Sequence, residues 1–404
     1  MSENSIEKTD SAFRELGIGA TNHKLVRNHR LLSKNQKAVR RFTRAESLAY
    51  LDINARTLDK YASLVNIDPR RHTDYQWLLD IEEIYKIRDS LPAELRKVQK
   101  FKRGPNEKLQ VISVQNQKGG VGKTITVATI ASCLAVEFHQ ELRIGVIDMD
   151  GQASLTAFYA TKSEALGELS AGDLISGDYE LDEGETKKQV ISNAFLPTTI
   201  PNLRILPAAQ SDRVLEGWFH KGLLNGTLSN PYSILKDIIN EVEDEFDIIL
   251  IDTPPSLGYA TYNAYFAATS VVFPLAVTEA DIDATCSYFE FIVHMWELLR
   301  SNDHQGYDFM KMLITNHRDS STTSDLLTGL YDNFSEFLYS KEFKYSEAVR
   351  QCHSKLSTVF DMSKSDYPKT KTSFQATQSN AYEIASQLYR DIAKVWRDSS
   401  KEEK

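Results

Sequence analysis

V-I-S-V-Q-N-Q-K-G-G-V-G-K-T, residues 111 to 124, decides the fold. Its first four residues make a β-branched, apolar run of the kind that forms a buried strand, and the run gives way abruptly to glycine. Gly119, Gly120 and Gly122 let the backbone curl until successive N–H groups face a phosphate, with the N-terminus of the next helix against it. In such a loop Lys123 would reach the β- and γ-phosphates, and the Thr124 hydroxyl would bind magnesium. The strict spacing G-x-x-x-x-G-K-[ST] wants glycine at 117; this chain has Gln117, and Lys118 follows at once. Ile125, next in the chain, has no hydroxyl and can offer a phosphate only its backbone N–H.

Working outward, I-G-V-I-D-M-D-G-Q at 144–152 ends a strand with two carboxylates on one side, because residues i and i+2 of a strand point alike. Asp148 and Asp150 thus meet the phosphate end together. D-I-I-L-I-D-T-P-P at 247–255 is a second buried strand, delivering Asp252 at its carboxyl end to the magnesium shell and Thr124. Pro254 and Pro255 stop that strand and open a loop able to sense the γ-phosphate. Further short runs at 203–207, 270–275 and 312–316, with a helix from Lys123 to about Phe138, predict an α/β fold with a mainly parallel, doubly wound sheet. Ligands of open α/β sheets sit at the carboxyl ends of the strands, where the three motifs converge. Asn316, at the end of the last run, has an amide suited to an adenine edge.

K-G-G-V-G-K-T with its leading lysine resembles the deviant Walker A motif of the ParA/MinD ATPases, a P-loop NTPase family. The resemblance implies ATP and Mg2+ as cofactors, phosphate contacts from Lys118, Gly119, Gly120, Val121, Gly122, Lys123, Thr124 and Ile125, and metal contacts from Thr124, Asp148 and Asp252. It also implies that Lys118 crosses a nucleotide-sandwich homodimer to the partner's phosphates, that Asp150 orients the attacking water and that Asp148 holds a magnesium-bound water. Supplying the cation in trans makes hydrolysis depend on dimerisation. Gly151 replaces the family's usual proline, which bears on the stiffness of that segment.

The chain has 404 residues, 41% of them apolar, and a formal net charge of -9, which alone argues against a nucleic-acid binder. The average hides a split: residues 1–104 carry 21 Lys+Arg against 14 Asp+Glu, while the rest is net -16. Lys24 to Arg44 contains eight basic residues and no acidic one. Three distant cysteines support neither a disulfide framework nor a metal cluster. There is no apolar signal-like segment at the start and no run near 18 apolar residues, so a cytoplasmic chain is expected.

In the basic half, Ala45–Leu51 and Leu58–Val65 mark two short helices around a tight D-I-N connection. Thr43 with Glu46 makes a capping box for the first, and Asn54 caps the second. That is helix-turn-helix geometry, extended by a strand-like start and a helix over Tyr75–Leu91 into a winged form. Asn54, Arg56, Thr57 and Lys60 would face bases and phosphates. The expected domains are a helix with a flexible joint broken by Gly17 and Gly19 (1–35), an all-α or winged helix-turn-helix (36–104), the ATPase (105–398) and a polar tail (399–404). A stripe through Ala381, Ile384, Ala385, Leu388, Ile392 and Val395 is read as a packed closing helix, since its mixed-sign polar face is unlike a membrane-surface helix.

The order helix-turn-helix then ATPase resembles the larger partition ATPases. For such a protein the resemblance implies an ATP dimer coating non-specific double-stranded DNA at the nucleoid, with Arg350 in the place of the family's DNA-contacting arginine, and release by a centromere-bound ParB-type partner that stimulates weak hydrolysis; Lys344 is a further candidate contact by its charge on the ATPase domain. It also implies repression of its own operon at an operator. The competing readings are a nucleotide-switched repressor and a membrane-bound positioning ATPase.

Overall fold

The structure, a computed structural model, describes residues 3–33, 39–72, 76–364 and 366–401. Residues 161–168 group with the N-terminal helix α1 (Glu3–Ser33) as one compact unit; Ala38–Ala160 and Leu169–Lys404 form the other. α1 runs uninterrupted through Gly17 and Gly19, contrary to the expected break. An exposed helical glycine costs only about 1 kcal/mol relative to alanine, and the Thr21 hydroxyl donates to the Gly17 carbonyl at 3.0 Å. Within this unit Lys24 and Arg27 lie 3.7 and 3.6 Å from Glu164, so the front of the basic stretch is helical and partly paired. Residues 34–38 lie outside the described residues.

The second unit opens with β1 (Phe42–Thr43), α2 (Arg44–Leu51) and α3 (Ala55–Leu64), then β2 (Leu78–Leu79) and α4 (Ile81–Ser90). Both expected caps form: Thr43 and Glu46 exchange bonds at the start of α2, and Asn54 accepts the Thr57 N–H at 2.9 Å. β1 and β2 pair antiparallel over two residues each, Phe42 with Leu79 and Thr43 with Leu78, and Tyr75 lies outside the described residues.

The main sheet contains β3 (Gln110–Val114), β4 (Ile144–Asp148), β5 (Leu196–Pro197), β6 (Leu203–Leu206), β7 (Ile248–Asp252), β8 (Ser270–Ala276) and β9 (Phe309–Thr315) in the order β5-β6-β4-β7-β3-β8-β9. All neighbours are parallel except β5 and β6. Alternation sorts the faces: Ile112, Val146 and Leu250 pack with α5 (Lys123–Glu137), while Val111, Ile147 and Ile249 pack on the opposite side. The sheet is therefore doubly wound, as its apolar runs require.

The closing helix Lys371–Ser399 lies over α5 with Phe374, Ala381, Ile384, Leu388, Ile392 and Trp396 buried. Trp396 stacks on Phe101 at 4.8 Å and donates its indole N–H to the Lys108 carbonyl at 2.9 Å, so the stripe faces protein. No helix among the described residues is long and apolar enough to cross a membrane. Trp396→Ala should lower the unfolding free energy by about 3–5 kcal/mol in urea titrations; a loss below about 0.5 kcal/mol would contradict this packing.

Candidate functional site

The sheet register assembles the site. Parallel pairing places Asp148 beside Asp252 on β4 and β7, and Asp252 beside Val114 on β3, so three strands end at one level. The loop from Gln115 to Gly122 leaves β3 there and enters α5. Gly120 and Gly122 have φ of 82° and 88°, which L side chains rarely adopt, and Gly122 is the N-cap of α5. The Thr315 hydroxyl at the end of β9 donates to the Val121 carbonyl at 2.7 Å, which places Asn316, exposed and at φ 51°, beside the loop.

The two lysines have opposite surroundings. Lys123 is buried and donates to the Asn116 carbonyl at 2.8 Å. Burial lowers its pKa, against the pull of Asp252 and Asp150. The side chain of Lys118 is 41% exposed, its Nζ 3.6 Å from Asp281. Asn116, which the spacing did not single out, accepts the Lys118 N–H at 2.8 Å and donates to the Pro274 carbonyl and the Thr285 hydroxyl. Asp281 sits in the first turn of the helix Glu279–Ser301, capped by Thr278; the T-E-A-D pattern marks a helix start, but its meeting with Lys118 is tertiary.

The carboxylates are the chemically tense part. Asp252 is fully buried and neither of its oxygens has a hydrogen-bond partner of good geometry, although the nearby Thr124 hydroxyl and Lys123 moderate its pKa. Burial, with the charge of Asp148 next in importance, pushes that pKa well up. Asp148, also buried, is pushed up to about 7 by desolvation. Its Oδ2 accepts the Thr156 N–H and hydroxyl, both at 2.8 Å, and its Oδ1 accepts the Asp150 N–H at 3.1 Å. Three of the roughly four acceptor positions of Asp148 are thus used in fixing the turn that carries Asp150. Thr156 was missed because it lies eight residues on, in the next helix. Orphaned carboxylate oxygens beside a threonine hydroxyl and a lysine fit a divalent cation held through Asp252 and Thr124.

Gly151 has a packing reason. A Cβ there would come within 2.9 Å of Arg213 Cγ and 3.4 Å of its backbone nitrogen. The Arg213 turn is fixed by Asp212, which accepts the Ala209 N–H at 3.0 Å and the Ser170 hydroxyl at 2.7 Å. Packing thus stiffens the Asp150 segment where the related motif uses proline.

Of the residues expected to meet DNA, Asn54 has its Oδ1 occupied by the N–H and hydroxyl of Thr57, so both are engaged in the cap. Arg56 and Lys60 are exposed on α3. Arg350 is 70% exposed but paired with Glu347 through two bonds of 3.0 and 3.1 Å, which hold the Glu347 pKa down to about 2. Lys344 lies 3.7 Å from Asp319.

Residues 109–301 match the family model of an AAA domain. The chain is 26% identical over 373 residues to a putative replication protein A of Rhizobium rhizogenes, covering 90% of this chain and 89% of that protein. It is 34% identical over 166 residues to the chromosome partitioning protein ParA of Myxococcus xanthus, covering 41% of this chain and 52% of that one. A solved partition protein superimposes with a TM-score of 0.63 at 19% identity, over 94% of this chain and 98% of that one. The fold and site define a P-loop NTPase of the deviant Walker A kind. In sequence the chain is similar to ParA-type partition proteins.

In the nucleotide-free chain, the raised pKa values of Asp148 and Asp252 mean that folding takes up protons. Their contribution to stability is complete below the ordinary aspartate range near 4 and is lost as pH rises through about 7 for Asp148. Denaturation between pH 4 and 8 should show stability falling with pH, and Asp148→Asn should flatten the slope. A slope unchanged by that substitution would contradict the assignment.

Proposed function

We propose that this chain is an ATP-dependent DNA partition protein. ATP with Mg2+ binds at the P-loop, Thr124 and Asp252 hold the metal, and Lys123 neutralises the β- and γ-phosphates. The bound metal supplies Lewis-acid neutralisation of phosphate charge. Asp150, on a turn fixed by Asp148 and packed against Arg213, orients the attacking water. The observation that carries the reading is that Lys118, unlike the buried Lys123 at the start of α5, is partly exposed and held by Asp281 rather than by the phosphate loop. A cation so placed serves the nucleotide of a second copy, and closure of a dimer would exchange the Asp281 carboxylate for that copy's phosphates.

The dimer then binds non-specific DNA, with Lys344 and Arg350 released from Asp319 and Glu347 to phosphates. A centromere-bound partner stimulates hydrolysis, and the chain works in the cytoplasm at the nucleoid. Residues 36–104 form the operator-reading domain, with Arg56 and Lys60 as its contacts. A second reading, a nucleotide-switched repressor, is favoured by one feature: this domain is built onto the far end of α5. Arg40 bonds Glu137 at 2.6 Å, and Tyr50 stacks on His139 at 3.7 Å.

Binding to random-sequence duplex DNA should be tight and salt-sensitive with ATP, weak with ADP or no nucleotide, and lost in Lys123→Gln. Affinity that ignores nucleotide and appears only on one operator would reject partition in favour of repression.

A further inference from the structure

At the β9 end of the sheet, away from the nucleotide site, lies an open apolar cavity of about 520 Å³. It sits between β8, β9 and the helices Glu279–Ser301 and Ser321–Phe334, and its walls include Phe273, Phe289, Trp296, Tyr307, Met312 and Phe334. Its mouth is apolar as well: Val293, Met310 and Phe337 are 57%, 40% and 41% exposed. Nothing in the nucleotide reading uses it.

Two observations define the occupant. First, the outer edge of β9 is already paired, because Met312 N–H donates to the Phe337 carbonyl at 2.8 Å and Tyr339 N–H donates back to Met312 at 2.9 Å. From Met312 onward the β9 edge is therefore closed to a visiting strand, which leaves side-chain contacts, as of a helix in a groove, as the mode of binding beside the cavity. Second, the surroundings of the cavity are net acidic: the helix Glu279–Ser301 and residues 321–337 carry eight Asp and Glu, Asp281 among them at the far end beside Lys118, against Arg300 and the β9 residue Lys311, whose Nζ donates to the Glu336 carbonyl at 2.8 Å. Glu290 and Glu297 stand three residues before and four residues after Val293, on its face of the helix, and both are exposed. Asp332 and Glu336 are exposed beside Phe334 and Phe337.

We propose that this groove docks an amphipathic helix of a partner protein, with two or three large apolar side chains entering the cavity and Lys or Arg on its flanks facing these carboxylates. The apolar anchors supply affinity; the acidic lips steer approach and select sign. The proposal stands apart from the nucleotide chemistry, so it survives or fails without it.

The test uses the full chain and two fluorescent 18-residue model helices, one of Leu and Lys at helical spacing and one with Glu in place of Lys, read by anisotropy. The Leu/Lys peptide should bind, more weakly as salt rises, and the Leu/Glu peptide should not. Val293→Glu and the double change Glu290→Lys, Glu297→Lys should each weaken binding at least tenfold. The double change Glu180→Lys, Glu183→Lys, which alters net charge equally on exposed residues elsewhere, should leave it unchanged. Matched melting curves keep folding out of the comparison. Equal losses in the groove and control variants, equal binding of both peptides, or a groove variant that changes only the mass of the chain in sedimentation, the mark of a second copy in the groove, would each overturn the proposal.

Discussion

Two carboxylates and one ammonium are buried at the ends of three adjacent strands, and much of the molecule serves to hold them there. Asp148 and Asp252 are register partners on β4 and β7, while Lys123 starts the helix that leaves β3. Burial disfavours the charged form of both acids, and the charge of Asp148 adds repulsion at Asp252; the raised pKa values record the cost. A sheet that forces such charges together without fully pairing them is built to receive a cation and a polyanion. The Thr156 and Thr315 hydroxyls and the Asp212 knot rigidify the frame around that demand.

This frame was largely legible in the sequence because it rests on local signals. A β-branched run broken by glycines, and two more runs each ending in aspartate, have few alternative readings, and the strands fall where those runs lie. Capping chemistry was equally local, so Thr43, Glu46 and Asn54 could be read from spacing alone. What was not legible is tertiary. Asn116 and Asp281 owe their roles to one helix meeting one loop, and no periodicity reports that meeting. The two-residue β5 was missed because nothing in Leu196–Pro197 distinguishes a strand from a turn. Gly17 and Gly19 misled because two weak helix penalties do not outweigh a helix of 31 residues.

Coupling between the basic domain and the sheet also lies beyond local signals. α5 begins at the phosphate loop and ends at Glu137; His139 and Glu141, just past it, have φ of 58° and 53°. Those three side chains meet Arg40, Tyr50 and the fully buried Arg88. One helix thus has the candidate nucleotide site at one end and the candidate operator-reading domain at the other, a direct mechanical route between them. Gly151 shows the same logic in miniature: its identity follows from Arg213, a neighbour 62 positions away in the chain.

Lys118 acting across a dimer is tested by mixing two inactive variants. Lys118→Gln removes the crossing cation, and Asp150→Asn removes the water-orienting carboxylate from the other half of the chemistry. In a mixed dimer the Lys118→Gln subunit keeps its own Asp150 and receives Lys118 from its partner, so one site is whole. ATP turnover should reappear on mixing, to as much as about half the wild-type rate per dimer, with each variant alone near background. If the mixture never exceeds the sum of its parts although mixed dimers form, Lys118 works within its own subunit and the mechanism proposed for it is wrong.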